Sequence, residues 1–248
     1  MKIIIHFEKQ YGFFIKKNKN YHPFEYIFAR RASVKDIIES HGVPHTEVGK
    51  IDFNHQEVDF SYIPLSQGRL HVSAILPPFD VLSPSVLRPK PFNRMKFIAD
   101  VNVIRLGRLL ILLGFDVRYS SSYSDKEIAD ISKIESRIVL TRDTDLLKRN
   151  KVIFAKLIRA VLPYDQLVET IIYFGLQNQI SFFSRCTECN IKLIPKTKKS
   201  VLDFLEPKTK LYFNTFFQCP VCKNVFWRGS HYDNLKQKIS ALGISINH

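Results

Sequence analysis

Phe97-Ile98-Ala99-Asp100 and Ile138-Val139-Leu140-Thr141-Arg142-Asp143 are short apolar runs that lead onto an aspartate, and each aspartate is followed by a helix-like stretch. In an open α/β sheet the carboxyl ends of parallel strands converge on one crevice, so acids placed just past two such ends can share a divalent cation. Outward from these runs the pattern alternates. The sequence predicts strand 96–100, helix 103–113 capped by Gly114, strand 115–119, helix 125–135, strand 137–141, helix 144–149, strand 152–157 and helix 163–175. Such alternation implies an α/β domain with helices packed on a parallel sheet.

Upstream, strand-like runs cover Lys2 to Glu8 and Phe13 to Lys17. Ser33 to Ser40 reads as a capped helix start, with Ser33 as cap, Asp36 in the first turn and Gly42 closing the end. Further strands are expected at Val58 to Ile63 and Leu70 to Ile75. Pro77, Pro78, Pro84, Pro89 and Pro91 then mark a linker. With 248 residues, two or three units are expected. The division is an N-terminal unit over 1–84, a linker over 85–94, an α/β domain over 95–178, and a cysteine-bearing segment with a C-terminal helix over 179–248. No apolar run reaches membrane-spanning length and the N-terminus carries no signal-peptide pattern, so a cytoplasmic protein without membrane contact is expected.

The formal net charge is +14. Residues 1–85 hold ten Lys/Arg against nine Asp/Glu, and residues 86–248 hold 27 against 14, so the excess lies in the last two thirds. That imbalance favours a polyanionic partner, because neutralising phosphates releases counterions.

Hydrolysis of a phosphodiester by a metal-carboxylate site needs hard oxygen ligands with positions left for water and phosphate. Asp100 and Asp143 meet the topological requirement. Asp125, at the start of the intervening helix, is a third candidate, with Asp145 and Glu127 as additional acids. Each also has a local explanation. Ser124-x-x-Glu127 is a capping box, Asp125 complements the helix dipole, and Asp143 and Asp100 suit an N-cap and a turn.

Cys186-x-x-Cys189 and Cys219-x-x-Cys222 bracket a 29-residue insert, and two such pairs supply the thiolates of a tetrahedral structural Zn²⁺ site. Basic residues around them, among them Lys198, Lys199 and Arg228, interleave with Phe213, Phe216, Phe217, Phe226 and Trp227. This mixture suits single-stranded RNA, whose exposed bases stack on rings. Phe216 and Phe217 are expected in the small core of the ribbon. His231 is either a contributor to the RNA site or a packing residue.

The segments Asp100-Val101-Asn102-Val103-Ile104-Arg105-Leu106-Gly107-Arg108, Ser124-Asp125-Lys126-Glu127 and Thr141-Arg142-Asp143-Thr144-Asp145, followed by Asp165-Gln166-Leu167, the cysteine pairs and Trp227-Arg228-Gly229-Ser230-His231, resemble the Mut-seven C-terminal RNase family. The resemblance covers most of residues 95–231. It implies a PIN-like nuclease fold in three layers, followed by a zinc ribbon, with acidic positions at Asp100, Asp125 and Asp143 around Mg²⁺ or Mn²⁺. Arg108 and Arg142 fall on its basic positions, and Arg105 is grouped with them as a phosphate contact. The sequence departs from the family at Ile104, commonly glycine, and at Ile111, often arginine. Residues 1–84 resemble the ubiquitin-like β-grasp domain fused ahead of bacterial members. No C-terminal Gly-Gly follows the last strand, which runs into Leu76-Pro77-Pro78, so carrier chemistry is excluded and a docking or positioning role remains. The function implied is metal-dependent hydrolysis of RNA, either single-stranded RNA or tRNA. The rival readings are a non-catalytic RNA-binding module and a regulatory protein that recruits a protein partner through residues 1–84.

Overall fold

The computed structural model describes residues 2–15, 22–27 and 30–244, the side chain of His231 excepted. The N-terminal unit consists of β1 (Lys2–Phe7), β2 (Phe24–Ile27), α1 (Val34–Ser40), β3 (Val48–Phe53), β4 (Gln56–Glu57) and β5 (Gly68–Ala74). Its sheet has the order β2-β1-β5-β3-β4, with β1 and β5 parallel and the other pairs antiparallel, which is a β-grasp arrangement. Strand alternation puts Ile3, Ile5 and Phe7 on the face that α1 covers with Val34, Ile37 and Ile38. Ser33 and Asp36 form the expected capping box.

Two expected strands in this unit are not formed by the described residues. Lys9–Phe13 is a 3₁₀ turn, which places Tyr11 and Ile15 inside and leaves Phe13 65% exposed. Spacing of four between buried residues is helical, and Tyr11 donates its hydroxyl to the Ser73 carbonyl at 2.8 Å. Lys16 and Lys17 lie outside the described residues. Over 58–63 the carboxylate of Asp59 accepts the N–H and hydroxyl of Ser61, forming a local turn. The carbonyls of Phe60 and Tyr62 accept from Lys35 and Val34 at the start of α1, so these backbone groups serve the helix end and not a ladder.

The second unit contains β6 (Lys96–Ala99), α2 (Ile104–Leu112), β7 (Asp116–Tyr119), α3 (Asp125–Glu135), β8 (Ile138–Thr141), β9 (Ala155–Leu157) and α4 (Pro163–Phe174). All strand pairs are parallel in the order β7-β6-β8-β9. Phe97 and Ala99 face a core shared with α2 and α4, while Ile98 between them faces a second core shared with α3. The result is three layers. Gly107 lets α2 approach β6 closely, since a Cβ there would lie 3.0 Å from that of Ala99. The helix expected over 144–149 is a single 3₁₀ turn, Leu146–Lys148, because consecutive Leu146 and Leu147 are both buried against the sheet.

The proline-rich stretch is exposed over much of its length but anchored by a few buried residues. Leu87 enters the N-terminal core and Phe92 the main core. The Arg88 guanidinium is buried, donates to the carbonyls of His45, Thr46 and Val48, and lies 4.9 Å from the Phe154 ring centroid. Burial lowers its pKa to about 10, which leaves it charged at neutral pH. The 3₁₀ turn His45–Glu47 meets the edge strand β9. Glu47 accepts the Leu157 N–H at 3.2 Å, and the Nε2 of His45 lies 3.0 Å from the Val152 carbonyl oxygen.

The C-terminal segment comprises β10 (Ile194–Lys196), α5 (Lys198–Val201), α6 (Pro207–Tyr212), β11 (Phe216–Gln218), β12 (Val225–Trp227) and α7 (Ser230–Ala241). The three strands form an antiparallel ribbon. Its core holds Val201, Leu205 and Phe216. Phe217, expected with Phe216, instead pairs with Phe226 across the ladder, because neighbouring residues of a strand point to opposite faces. Helix α7 returns to the α/β domain and inserts Leu235 and Ile239 into its main core.

Candidate active site and metal centre

Asp100 follows β6 and is only 4% exposed. Its Oδ1 accepts the Val101 N–H at 2.6 Å. Its Oδ2 accepts from the Asn102 side-chain amide at 2.6 Å and from the Thr141 hydroxyl at 2.7 Å. These donors belong to the turn after β6 and to the last residue of the neighbouring strand β8. Thr141 in turn accepts the Asp143 N–H at 2.9 Å, so one buried hydroxyl ties the two strand-end aspartates together. Asp143 is half-buried, and its Oδ1 accepts the Asp145 N–H at 2.8 Å. Asn102 also accepts the Arg142 N–H at 3.1 Å, which locks the two strand-end loops to each other.

Asp125 is held differently. It sits in the first turn of α3 and pairs with Arg149 at 3.1 Å, both side chains being about two-fifths exposed. Glu127 completes the capping box, its Oε2 accepting the Ser124 N–H at 2.8 Å and hydroxyl at 2.7 Å. Those hydrogen bonds keep its carboxyl below the usual range. Asp145 is exposed and contributes its N–H to Asp143. Among the described residues, the cysteine quartet is the one set of three or more His, Cys, Asp or Glu side chains gathered at metal-ligand separations. The carboxylates are spread more widely: Thr141 meets the Asp100 carboxylate and only the backbone N–H of Asp143, and Asp125 is bound to Arg149.

Beside Asp100 runs a cleft of about 450 Å³, lined on one side by Val101 to Ile104, Arg105 and Arg108, and on the other by Val161, Leu162, Pro163 and Gln166. Arg105 and Arg108 are exposed, and the Arg108 guanidinium lies 5.6 Å from the Tyr119 ring centroid. Arg142 is exposed and donates to the Ala160 carbonyl. That carbonyl is further held by Gln166 at 3.2 Å, while Glu169 accepts the N–H groups of Arg159 and Ala160. Ile104 lines the cleft, whereas Ile111 is 1% exposed and belongs to the core. Sequence reading missed Asn102, Thr141 and Arg149 as partners of the acids. Polar residues two positions from each strand-end aspartate were the available signal for the first two.

The ribbon brings the four cysteine sulfurs within 4.8 Å of one another, with Cys186 Sγ 3.6 Å from Cys222 Sγ and no disulfide formed. A tetrahedral zinc site with Zn–S of about 2.3 Å separates its sulfurs by roughly 3.8 Å, so the set fits this metal. The two cysteine turns repeat each other. Asn190 and Lys223, each the residue after the second cysteine, both adopt positive φ, and each N–H returns to the carbonyl of the first cysteine. Lys198 donates to Asn214 at 3.0 Å, Lys199 is exposed, and Arg228 lies 5.3 Å from the Tyr232 ring centroid. The His231 side chain lies outside the described part.

No helix among the described residues is long and apolar enough to cross a membrane. Residues 1–80 match the Mut7-C ubiquitin family. No curated protein and no solved structure matches the chain. Residues 95–239, which contain the strand-end aspartates, the cleft and the cysteine quartet, match the Mut7-C RNAse domain, and the chain belongs to that family.

Proposed function

We propose that the protein is a metal-dependent ribonuclease that hydrolyses RNA phosphodiester bonds at Asp100, Asp125 and Asp143, with the zinc ribbon contributing to RNA binding. The observation that carries this reading is the Thr141 hydroxyl, which donates to the Asp100 carboxylate and accepts the Asp143 backbone N–H, and so links the ends of two adjacent parallel strands that each bear an acid. Asp100, Asp143 and Asp125 are the residues that would hold Mg²⁺ or Mn²⁺, and each carboxylate keeps lone pairs beyond its present partners. Such a cation, when bound, lowers the pKa of a coordinated water and neutralises phosphate charge.

The chain's own groups divide the remaining work. Asn102 and Thr141 orient Asp100 so that its oxygens cannot rotate away. Arg105 and Arg108 line the cleft, where guanidinium groups make paired hydrogen bonds to phosphate oxygens. Arg142 exchanges its contact with the Ala160 carbonyl for the scissile phosphate. Glu127 acts through the capping box and Asp145 through its backbone, so neither is needed as a ligand. In the ribbon, Lys198, Lys199 and Arg228 provide cations along the strand's path.

The test is cleavage of a single-stranded RNA with Mn²⁺ by the full chain and by Asp143→Asn. Changing a residue that only hydrogen-bonds to a metal ligand costs about 10- to 100-fold, so loss of a direct ligand is expected to lower the rate by more than ~100-fold. Cleavage by Asp143→Asn at the parent rate sinks the assignment.

A further inference from the structure

The surface bounded by α6, β12 and the start of α7 opens into a second cleft, of about 420 Å³, far from uniform in composition. Phe183, Phe213, Phe226 and Trp227 line it, and Thr209 and Ser230 supply its hydroxyls. Phe213 and Trp227 pack against the small core of the ribbon without being enclosed by it. Phe216 fills that core at 1% exposure, whereas Phe213, Phe226 and Trp227 all remain partly open to solvent. Gly229 keeps the slot free, since a Cβ there would stand 3.0 Å from Trp227 Nε1 and 3.6 Å from Phe213 Cζ. Among the described residues no acceptor meets the Trp227 indole N–H.

Charge distinguishes this slot from an apolar docking groove. Lys208 and Lys210 flank Thr209 in α6, and Arg228 stands between Trp227 and Gly229. None of these three cations forms an ion pair among the described residues, and residues 179–248 carry eleven Lys/Arg against four Asp/Glu. An aromatic-walled slot whose lining residues have Lys208, Lys210 and Arg228 as chain neighbours suits a flat π-system attached to a polyanion, because every base has a face to stack while its phosphates meet cations outside the slot. A duplex has no unstacked base to offer, and an aromatic peptide side chain would leave the cations without partners.

We propose that this cleft binds one unpaired nucleobase of single-stranded RNA, stacked against Phe213 and Trp227, with Arg228, Lys208 and Lys210 on the flanking phosphates. The choice of RNA over other single-stranded polyanions rests on the ribonuclease reading; the stacking geometry does not.

Trp227 is the sole tryptophan of the chain, so its emission reports occupancy directly. The zinc-loaded full chain carrying Asp143→Asn is titrated with a ten-residue oligoadenylate, with the same strand carrying abasic riboses, and with a base-paired duplex of equal length. Quenching of Trp227 by the base-bearing single strand, and not by the abasic strand or the duplex, is expected. Phe213→Leu, which removes a ring from the slot, and Gly229→Val, which fills it, should each weaken binding by about 5- to 150-fold, the range for loss of one stacked base. Retained zinc content shows that each variant is folded, and Gly229→Ala is the substitute if either is not. Equal quenching by the abasic strand, no quenching at all, or unchanged affinity in folded Phe213→Leu and Gly229→Val overturns the proposal. Persistent cleavage by Asp143→Asn would instead count against the ribonuclease site and leave this measurement standing.

Discussion

Replacing Asp100 by asparagine should unfold the protein at a lower temperature, quite apart from any effect on turnover. Three donors converge on this carboxylate at 2.6 to 2.7 Å, two on Oδ2 and one on Oδ1, and the side chain is 4% exposed. An asparagine must aim its NH₂ at one of these sets. Either orientation sets donor against donor, and the surviving hydrogen bonds lose their charge. A hydrogen bond to a charged group contributes about 1.5–3 kcal/mol and a neutral one about 0.5–1.5, so one lost and one or two weakened bonds cost about 2–3 kcal/mol. For a chain of this size that corresponds to a fall in Tm of roughly 4–12 °C. Asp143→Asn is the control: the side chain is half-buried, only Oδ1 is engaged, and its amide oxygen can still accept the Asp145 N–H. Its cost should stay within about 0.5 kcal/mol. The assay is thermal denaturation of both variants at neutral pH without added divalent cation. An Asp100→Asn midpoint within about 1 °C of the parent would refute the triple acceptance, using the same temperature scale. The comparison also decides how activity data are read, since loss of activity in Asp100→Asn mixes chemistry with stability and the same loss in Asp143→Asn does not.

Burial raises the Glu47 carboxyl above its usual range, with Lys156, the Leu157 N–H and Arg159 pulling it back only in part. A raised folded pKa means that the folded state binds more protons than the unfolded chain, so stability falls as pH rises from the ordinary carboxylate range through the folded pKa. Glu47→Gln should flatten that slope in urea titrations across mildly acidic to neutral pH; a slope identical to the parent's refutes the link. Glu47→Ala should instead destabilise by about 1–3 kcal/mol, because the buried Leu157 N–H loses its acceptor. Zinc removal, or Cys219→Ser, should unfold the ribbon, whose own core holds only three buried residues, and shift Trp227 emission to the red; an unchanged spectrum with zinc content near zero would contradict a structural metal. Arg149→Met frees Asp125 from a pair worth about 0.2–1 kcal/mol at this exposure, so Tm should hardly move while Mn²⁺ binds several-fold more tightly; unchanged Mn²⁺ affinity by calorimetry would separate Asp125 from the metal.

The parallel α/β order was legible because its signals are local. Strand-end aspartates, a capping box at Ser124 and Glu127, and glycine at position 114 each lie within a few residues of the element they define. The misreadings have other causes. At Phe13 and at Val58 to Ile63 the apolar content suggested strands, yet the backbone near Phe13 closes local 3₁₀ bonds onto Tyr11, and Phe60 and Tyr62 serve the distant N-terminus of α1. The same holds for the site. Asp100, Asp125 and Asp143 could be picked from position alone, but Arg149 lies 24 residues beyond Asp125 and no local pattern announces that pair. Residues 85–94 looked like a tether because of their prolines. A buried arginine reaching three carbonyls of the N-terminal unit is a tertiary fact that proline content does not encode.

That arginine bears on what the ubiquitin-like unit does. Strand β9 is the edge of the parallel sheet, and a bare edge exposes N–H and C=O groups that invite pairing with other chains. Here the turn His45–Glu47 occupies those groups, taking the Leu157 N–H and lying against the Val152 carbonyl. The next residue inward, Lys156, is buried and pairs with Glu169 at 2.9 Å. Glu169 holds the N–H groups of Arg159 and Ala160, and the Ala160 carbonyl receives Arg142 beside the strand-end acids. The N-terminal unit is therefore joined to the catalytic candidates through a continuous series of polar contacts, none longer than 3.2 Å. A freely tethered recruitment module would need no such series. If the unit were merely tethered, Glu47→Ala would leave the Arg142 loop as protected from amide hydrogen exchange as in the parent; if it is a support for that loop, protection at Arg159 and Ala160 falls with it.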